Sequence, residues 1–182
     1  RRVHVRDDLD IPTRKYWGVD FGVASFMTAV LCAEFTNGDI YVIDEINIKN
    51  SNTFELSKMM QQRAPNLPVY PDPAGKARTS NSTKSDHMIL TEAGFVVIAK
   101  KANPTQKDRL NALNKKLKDA NGKHSLFIKS NCTNTIRDLE MTTMENGQMV
   151  KTESLSHNID ALCYPIHFRF PLTMNSVGSI KW

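Results

Sequence analysis

Three aspartates stand where carboxylates could do chemistry. Asp20 closes an apolar run in Gly18-Val19-Asp20-Phe21-Gly22, Asp72 closes another before Pro73-Ala74-Gly75, and Asp160 lies in the first turn of His157-Asn158-Ile159-Asp160-Ala161-Leu162. The glycines flanking Asp20 let other backbone or a ligand approach closely. Each acid also has an ordinary role open to it. Asp20 can make a strand-end turn hydrogen bond, Asp72 an Asx turn, and Asp160 can complement a helix dipole, worth about 0.3–1 kcal/mol. If instead the three converge, they offer oxygen ligands to hard cations such as Mg²⁺ or Mn²⁺. Two such ions roughly 3.5–4 Å apart activate water and stabilise the attacking and leaving oxygens of a phosphodiester. Asp20 would then bridge the pair, with Asp72 and Asp160 each holding one side.

His157 precedes Asp160 by three residues, so a helix beginning at or before it points both to one face. It could orient a nucleophilic water, contact the scissile phosphate or assist a metal, or simply end the helix as a polar cap residue. His4, His87, His124 and His167 show no metal-ligand spacing. Asp44 and Glu45 are adjacent on a strand and face opposite sides, so only one can look toward Asp20. Glu45 and Glu55 are reserve ligands with structural or solvated roles as the alternative.

These residues need elements to hold them. Tyr16 to Phe21 reads as a first strand, Phe26 to Phe35 as a second, and Ile40 to Ile48 as a third with Ile40, Val42 and Asp44 on one face. Asn37-Gly38 between the last two is a strong hairpin signal, so the chain opens with an antiparallel meander. A short helix follows from Thr53, stopped by Pro65 and Pro68. Next come a strand over Val69 to Asp72, a helix over Ser85 to Ala93 closed by Gly94, and a strand over Phe95 to Ala99. Pro104 to Asp119 is the clearest helix, with Leu110, Leu113 and Leu117 on one stripe. Leu126 to Ile128 reads as a strand, Asn134 to Met141 as a helix, and Glu145 to Gln148 as a hairpin tip. Asn158 to Phe168 reads as a final helix that Pro165 would kink or shorten. The order implies an α/β fold, a mixed β-sheet of one meander plus parallel strands flanked by helices, matching the ribonuclease H-like arrangement.

Composition narrows the setting. The chain has 182 residues, 24 Lys and Arg against 19 Asp and Glu, a net charge of +5 and three cysteines. That length suits one core with an appended arm. No apolar stretch reaches the length of a membrane span, the start is not that of a signal peptide, and Cys32, Cys132 and Cys163 form neither a disulfide framework nor a zinc ribbon. A reducing, intracellular setting is expected. Lys76, Arg78 and Lys84 bracket a polar loop after Asp72, and Lys100, Lys101, Lys107 and Arg109 follow the next strand. Such loops could hold a phosphate backbone without reading sequence, or could be ordinary solvated surface. Thr143 to Leu155 is a candidate flap over the site or a plain surface hairpin.

Four blocks in this order resemble the C-terminal nuclease domain of the large terminase subunit of tailed bacteriophages. They are Gly18-Val19-Asp20-Phe21-Gly22, Val42-Ile43-Asp44-Glu45, Pro71-Asp72-Pro73-Ala74-Gly75 and His157-Asn158-Ile159-Asp160-Ala161-Leu162-Cys163-Tyr164. The closing His-x-x-Asp-Ala-x-x-Tyr is the most specific. The resemblance implies a ribonuclease H/RuvC-like fold and a metal-dependent endonuclease that cuts concatemeric viral DNA during packaging with two divalent cations, Mg²⁺ or Mn²⁺. It assigns Asp20, Asp72 and Asp160 to the acidic triad and His157 to a histidine beside the last acid. Where relatives often carry a basic residue, this chain has Cys163. The implied partners are double-stranded DNA, the terminase ATPase domain, the small terminase subunit and the portal protein, with no membrane, in the cytoplasm of an infected bacterium at the procapsid portal.

No G-x-x-x-x-G-K-[ST] motif is present, since Ala77 follows Gly75-Lys76, so the ATPase domain is expected to be absent from this chain. Residues 1–14 then read as an interdomain arm and 15–182 as the nuclease domain. Two alternatives stay open: another ribonuclease H-like nuclease such as a junction resolvase or transposase core, and a non-catalytic domain that docks DNA or a portal.

Overall fold

Alternation along the first strand sets the architecture. β1 (Arg14–Phe21) sends Trp17 and Val19 to one face of a sheet and Tyr16, Gly18 and Asp20 to the other, and both faces are buried. A strand buried on both sides needs helices above and below it, and the chain supplies them. The computed structural model describes residues 3–22, 26–77, 83–145, 148–150 and 155–172.

β1 pairs antiparallel with β2 (Phe26–Glu34), which pairs antiparallel with β3 (Ile40–Lys49), with Gly38 at φ +81° in the connecting turn. β4 (Pro68–Pro71) lies parallel to β1 on its other side, and the short β5 (Val96–Val97) lies parallel to β4. β6 (Leu126–Ile128) runs parallel to β3, completing the order β5-β4-β1-β2-β3-β6. This is the mixed sheet expected of a ribonuclease H-like fold. The N-terminal arm lines the outer edge of β6: Arg6 N donates to Ile128 O at 3.0 Å and Ile128 N to His4 O at 2.8 Å. Those bonds cover backbone that would otherwise be an open strand edge.

Helices α1 (Thr53–Arg63) and α2 (Asp86–Glu92) cover one face, where Leu56, Met60 and Leu90 pack on Trp17, Val19, Leu31 and Ile46. Helices α3 (Gln106–Leu117), α4 (Thr133–Met141) and α5 (His157–Arg169) cover the other, where Leu113, Ile136, Ile159 and Leu162 meet Val30, Cys32 and Val42. Side chains at the starts of α1, α2 and α3 cap their own helices: Asn52 accepts from Glu55 N, Ser85 from Met88 N and Thr105 from Asp108 N. A small hairpin, β7 (Met144–Glu145) with β8 (Gln148–Met149), precedes α5.

Two expectations change. The pairing of β2 with β3 shifts so that Cys32 faces Val42 but Leu31 faces Asp44, leaving Ile43 as an extra residue. Such a bulge reverses the alternation. Asp44 therefore leaves the face of Ile40 and Val42 and bonds Arg63 of α1 at 2.7 Å. Pro165 does not shorten the last helix, which runs through to Arg169. Proline removes the bond that Ala161 O would accept, and that carbonyl sits closely against Gly18, where an added Cβ would lie 2.1 Å from it. Gly18 is thus the residue that lets α5 lie directly on β1. At the far end, Arg169 donates to both oxygens of Glu34 on β2 and to Tyr70 Oη on β4, fixing the helix lengthwise.

Candidate active site

β1 and β4 end side by side, with Asp20 next to last in β1 and Asp72 directly after β4. Asp72 N donates to Val19 O at 2.9 Å, so Asp72 continues the ladder beside Asp20. Asp20 is nearly buried, and its Oδ2 lies 3.1 Å from Nδ1 of His157, the first residue of α5. His157 therefore faces Asp20 as well as sharing its helix with Asp160.

Asp72 does make the turn contact that its sequence allowed: its carboxylate accepts from Ala74 N at 2.8 Å, opening a 3₁₀ turn over Pro73–Lys76. It also accepts from Asn103 Nδ2 at 2.9 Å, and its backbone carbonyl takes Nε2–H of His87 at 2.8 Å. Burial, with the charges of Asp20 and Asp72 nearby, pushes the Tyr164 phenol pKa far up, so it stays protonated.

Asp160 takes a different role from the helix-dipole one. The N-terminus of α5 is served by Asp138, fully buried on α4, which accepts from Asn158 N at 3.1 Å and Asn158 Nδ2 at 3.0 Å. Asp160 instead receives Arg109 Nη1 of α3 at 2.9 Å in a pair where both side chains are buried. Burial works against the Arg109 charge, but Tyr164 and Asp160 outweigh it and its pKa ends above the ordinary value. Its guanidinium lies 4.7 Å over the Tyr164 ring. Arg109 is therefore an interior residue of the site, not one of the surface cations with which its sequence groups it.

The structure thus sets Asp20 and Asp72 on adjacent strands with His157 against Asp20, and places Asp160 on the same helix as His157, paired with Arg109. Among the described residues no three His, Cys, Asp or Glu side chains stand close enough to hold one ion as they are. The donor chemistry still fits a hard divalent cation, since every candidate ligand is a carboxylate oxygen.

The reserve acids are occupied elsewhere. Glu45 shares the sheet face of Asp20, but its oxygens take Asn134 N and Thr135 N at 2.8 Å each, together with both side chains of those residues. They cap α4, whose own cap residue Cys132 offers no side-chain bond. Glu55 is exposed on α1, bonded to Ser51. Glu45→Ala should leave any DNA cleavage intact while removing a cap worth about 1–2 kcal/mol. The melting temperature should then fall by about 2–8 °C, read by circular dichroism. Loss of activity in a folded Glu45→Ala protein would return Glu45 to the ligand set.

Beside Asp72 an open cleft of about 670 Å³ is lined by Lys76, His87, Lys100 and Lys101 among others. Lys84 is tied to Glu92 at 2.5 Å on the surface, and Arg78 lies outside the described residues, as does part of the candidate flap over Thr143 to Leu155. Lys100 lies 3.0 Å from His167 Nδ1; burial and then Lys100 hold that imidazole below its usual pKa, so it accepts as a neutral ring.

Sequence reasoning passed over Asn103 and Asp138 and gave Tyr164 no role. Tyr164 was readable, because it follows Asp160 by one helical turn and so shares its face. Nothing local marks Asn103 or Asp138, whose partners lie 31 and 20 residues away.

No protein-family model matches the sequence, and no curated protein matches it. Solved structures do. The large terminase nuclease domain of phage P22 superposes with a TM-score of 0.72 at 15% identity, over 95% of this chain and 91% of that one. The large terminase of a thermophilic bacteriophage gives 0.68 at 19% identity, over 91% of this chain but 42% of that longer one. The large terminase nuclease domain of bacteriophage SPP1, solved with bound Mn, gives 0.61 at 16% identity, over 86% of each chain. The chain therefore has the fold of the nuclease domains of phage large terminases.

Proposed function

We propose that the chain is a metal-dependent endonuclease of the large-terminase type, hydrolysing phosphodiester bonds of double-stranded DNA during viral genome packaging. The observation that carries this reading is the meeting of Asp20 and Asp72 at adjacent strand ends, with His157 on the first and Asp160 on the same helix as His157. Support from outside the chain is the fold, together with neighbours solved with bound Mn, cobalt and zinc. Asp20, Asp72 and Asp160 would hold two divalent cations, Mg²⁺ or Mn²⁺, which when bound supply Lewis acidity to water and to the leaving oxygen.

The chain's own groups do the rest. Asn103 and Ala74 N hold the Asp72 carboxylate in place. His157 sets Nδ1 against Asp20, and its imidazole would orient a water or carry a proton beside that carboxylate. Lys76, with Lys100 and Lys101 across the cleft, would hold the DNA backbone without reading sequence, while Lys84 is partly neutralised by Glu92. Association with an ATPase domain, a small terminase subunit and a portal protein, in the host cytoplasm, rests on the resemblance in sequence blocks and fold.

Supercoiled plasmid tests the reading. Mn²⁺ should support conversion to nicked and linear forms, and EDTA should abolish it; conversion in EDTA would refute the proposal. One observation favours a second reading, a catalytically silent domain that docks DNA or a portal: Asp160 is already paired with Arg109.

A further inference from the structure

That pair has an unusual geometry. A buried arginine–carboxylate bridge is strongest as a two-pronged fork, yet Arg109 offers Nη1 to Asp160 Oδ1 while its buried Nε has no hydrogen-bond partner among the described residues. The guanidinium is held otherwise by the face of Tyr164. The same stretch of chain supplies Asn103 to Asp72 and Arg109 to Asp160, so donors from residues 103–109 rest on two of the three proposed ligands. A carboxylate buried to 1% exposure needs a compensating charge. Here a side chain provides the charge that a metal ion would otherwise provide.

We propose that Arg109 is a built-in counter-cation that competes with a divalent ion for Asp160. This rests on the reading of Asp160 as a metal ligand. While Arg109 holds Asp160, Asp20 and Asp72 would remain to hold an ion, and use of Asp160 as a ligand would require the guanidinium to withdraw. Arg109 is a positioning residue in this account, acting through Asp160.

Removing the charge should make metal binding easier rather than harder. In Arg109→Gln the Asp160 carboxylate loses the buried guanidinium beside it, so the protein should melt lower than wild type in EDTA and regain stability as Mn²⁺ is added. Calorimetric titration should show Mn²⁺ binding about tenfold tighter than in wild type, or a second ion bound where wild type binds one, because a like charge a few ångströms from the ion has gone. Unchanged or weaker Mn²⁺ binding, with no recovery of melting temperature, would overturn the inference. If Arg109→Gln folds in neither condition, Arg109→Met decides. Its unbranched apolar stem fills much of the same space without a charge, so Mn²⁺ affinity should still rise above wild type, and an affinity equal to wild type would overturn the inference. The two proposals fail differently. Wild type that cleaves plasmid and binds Mn²⁺ beside an Arg109→Gln protein that gains nothing refutes only the role of Arg109. Wild type that neither binds Mn²⁺ nor cleaves refutes both.

Discussion

Gly18→Val is expected to destabilise the chain by at least about 3–5 kcal/mol, which for a domain of this size lowers the melting temperature by roughly 6–20 °C. Even the first added carbon, Cβ, would stand 2.1 Å from Ala161 O and 2.9 Å from Pro165 Cδ. Neither neighbour can turn away: one is backbone, and the other is a closed ring inside a helix. Helix α5 would have to lift from β1, yet Arg169 holds its far end to Glu34 and Tyr70, and Leu162 and Ile166 are fully buried beneath it. His157, Asp160 and Tyr164 ride on that helix, so the displacement would also take them from Asp20 and Asp72. Thermal unfolding followed by circular dichroism reads the effect. A melting temperature within about 2 °C of wild type would mean that α5 does not sit on Gly18 as described.

What could be read in the sequence was what local chemistry determines. Asn37-Gly38 announced the hairpin, Gly94 ended α2 at φ +90°, and the leucine stripe marked α3. The acids at strand ends and at the start of α5 were visible because an acidic residue closing an apolar run is uncommon. What escaped was decided at a distance. The bulge at Ile43 depends on how β2 and β3 pair, and no residue type signals it. Glu45 caps α4 from 89 residues away and Asp138 caps α5 from another helix, so both acids looked spare or went unnoticed. Arg109 looked like one more cation on a lysine-rich helix. Its spacing was informative all the same: with Ala112 and Leu113 it forms the i, i+3, i+4 set of a buried face.

Asp20→Asn is the substitution with the largest expected effect on activity. Asparagine keeps the shape of the side chain, so contacts with His157 and the strand geometry should survive, and the melting temperature serves as the control. What changes is charge: a carboxylate at the centre of the proposed ligand set becomes a neutral amide with one acceptor oxygen. If Asp20 bridges the cations, its loss weakens both at once, and a metal contribution of several kcal/mol to the transition state corresponds to a loss of about 10³-fold or more in rate. Asp72→Asn should lose less, because Asp72 would hold one side only. The direct measurement is the rate of supercoiled-plasmid conversion in Mn²⁺ by wild type and by folded Asp20→Asn at equal concentration. The account expects conversion by wild type and a variant slower by about 10³-fold or more; equal rates from the two proteins would contradict it.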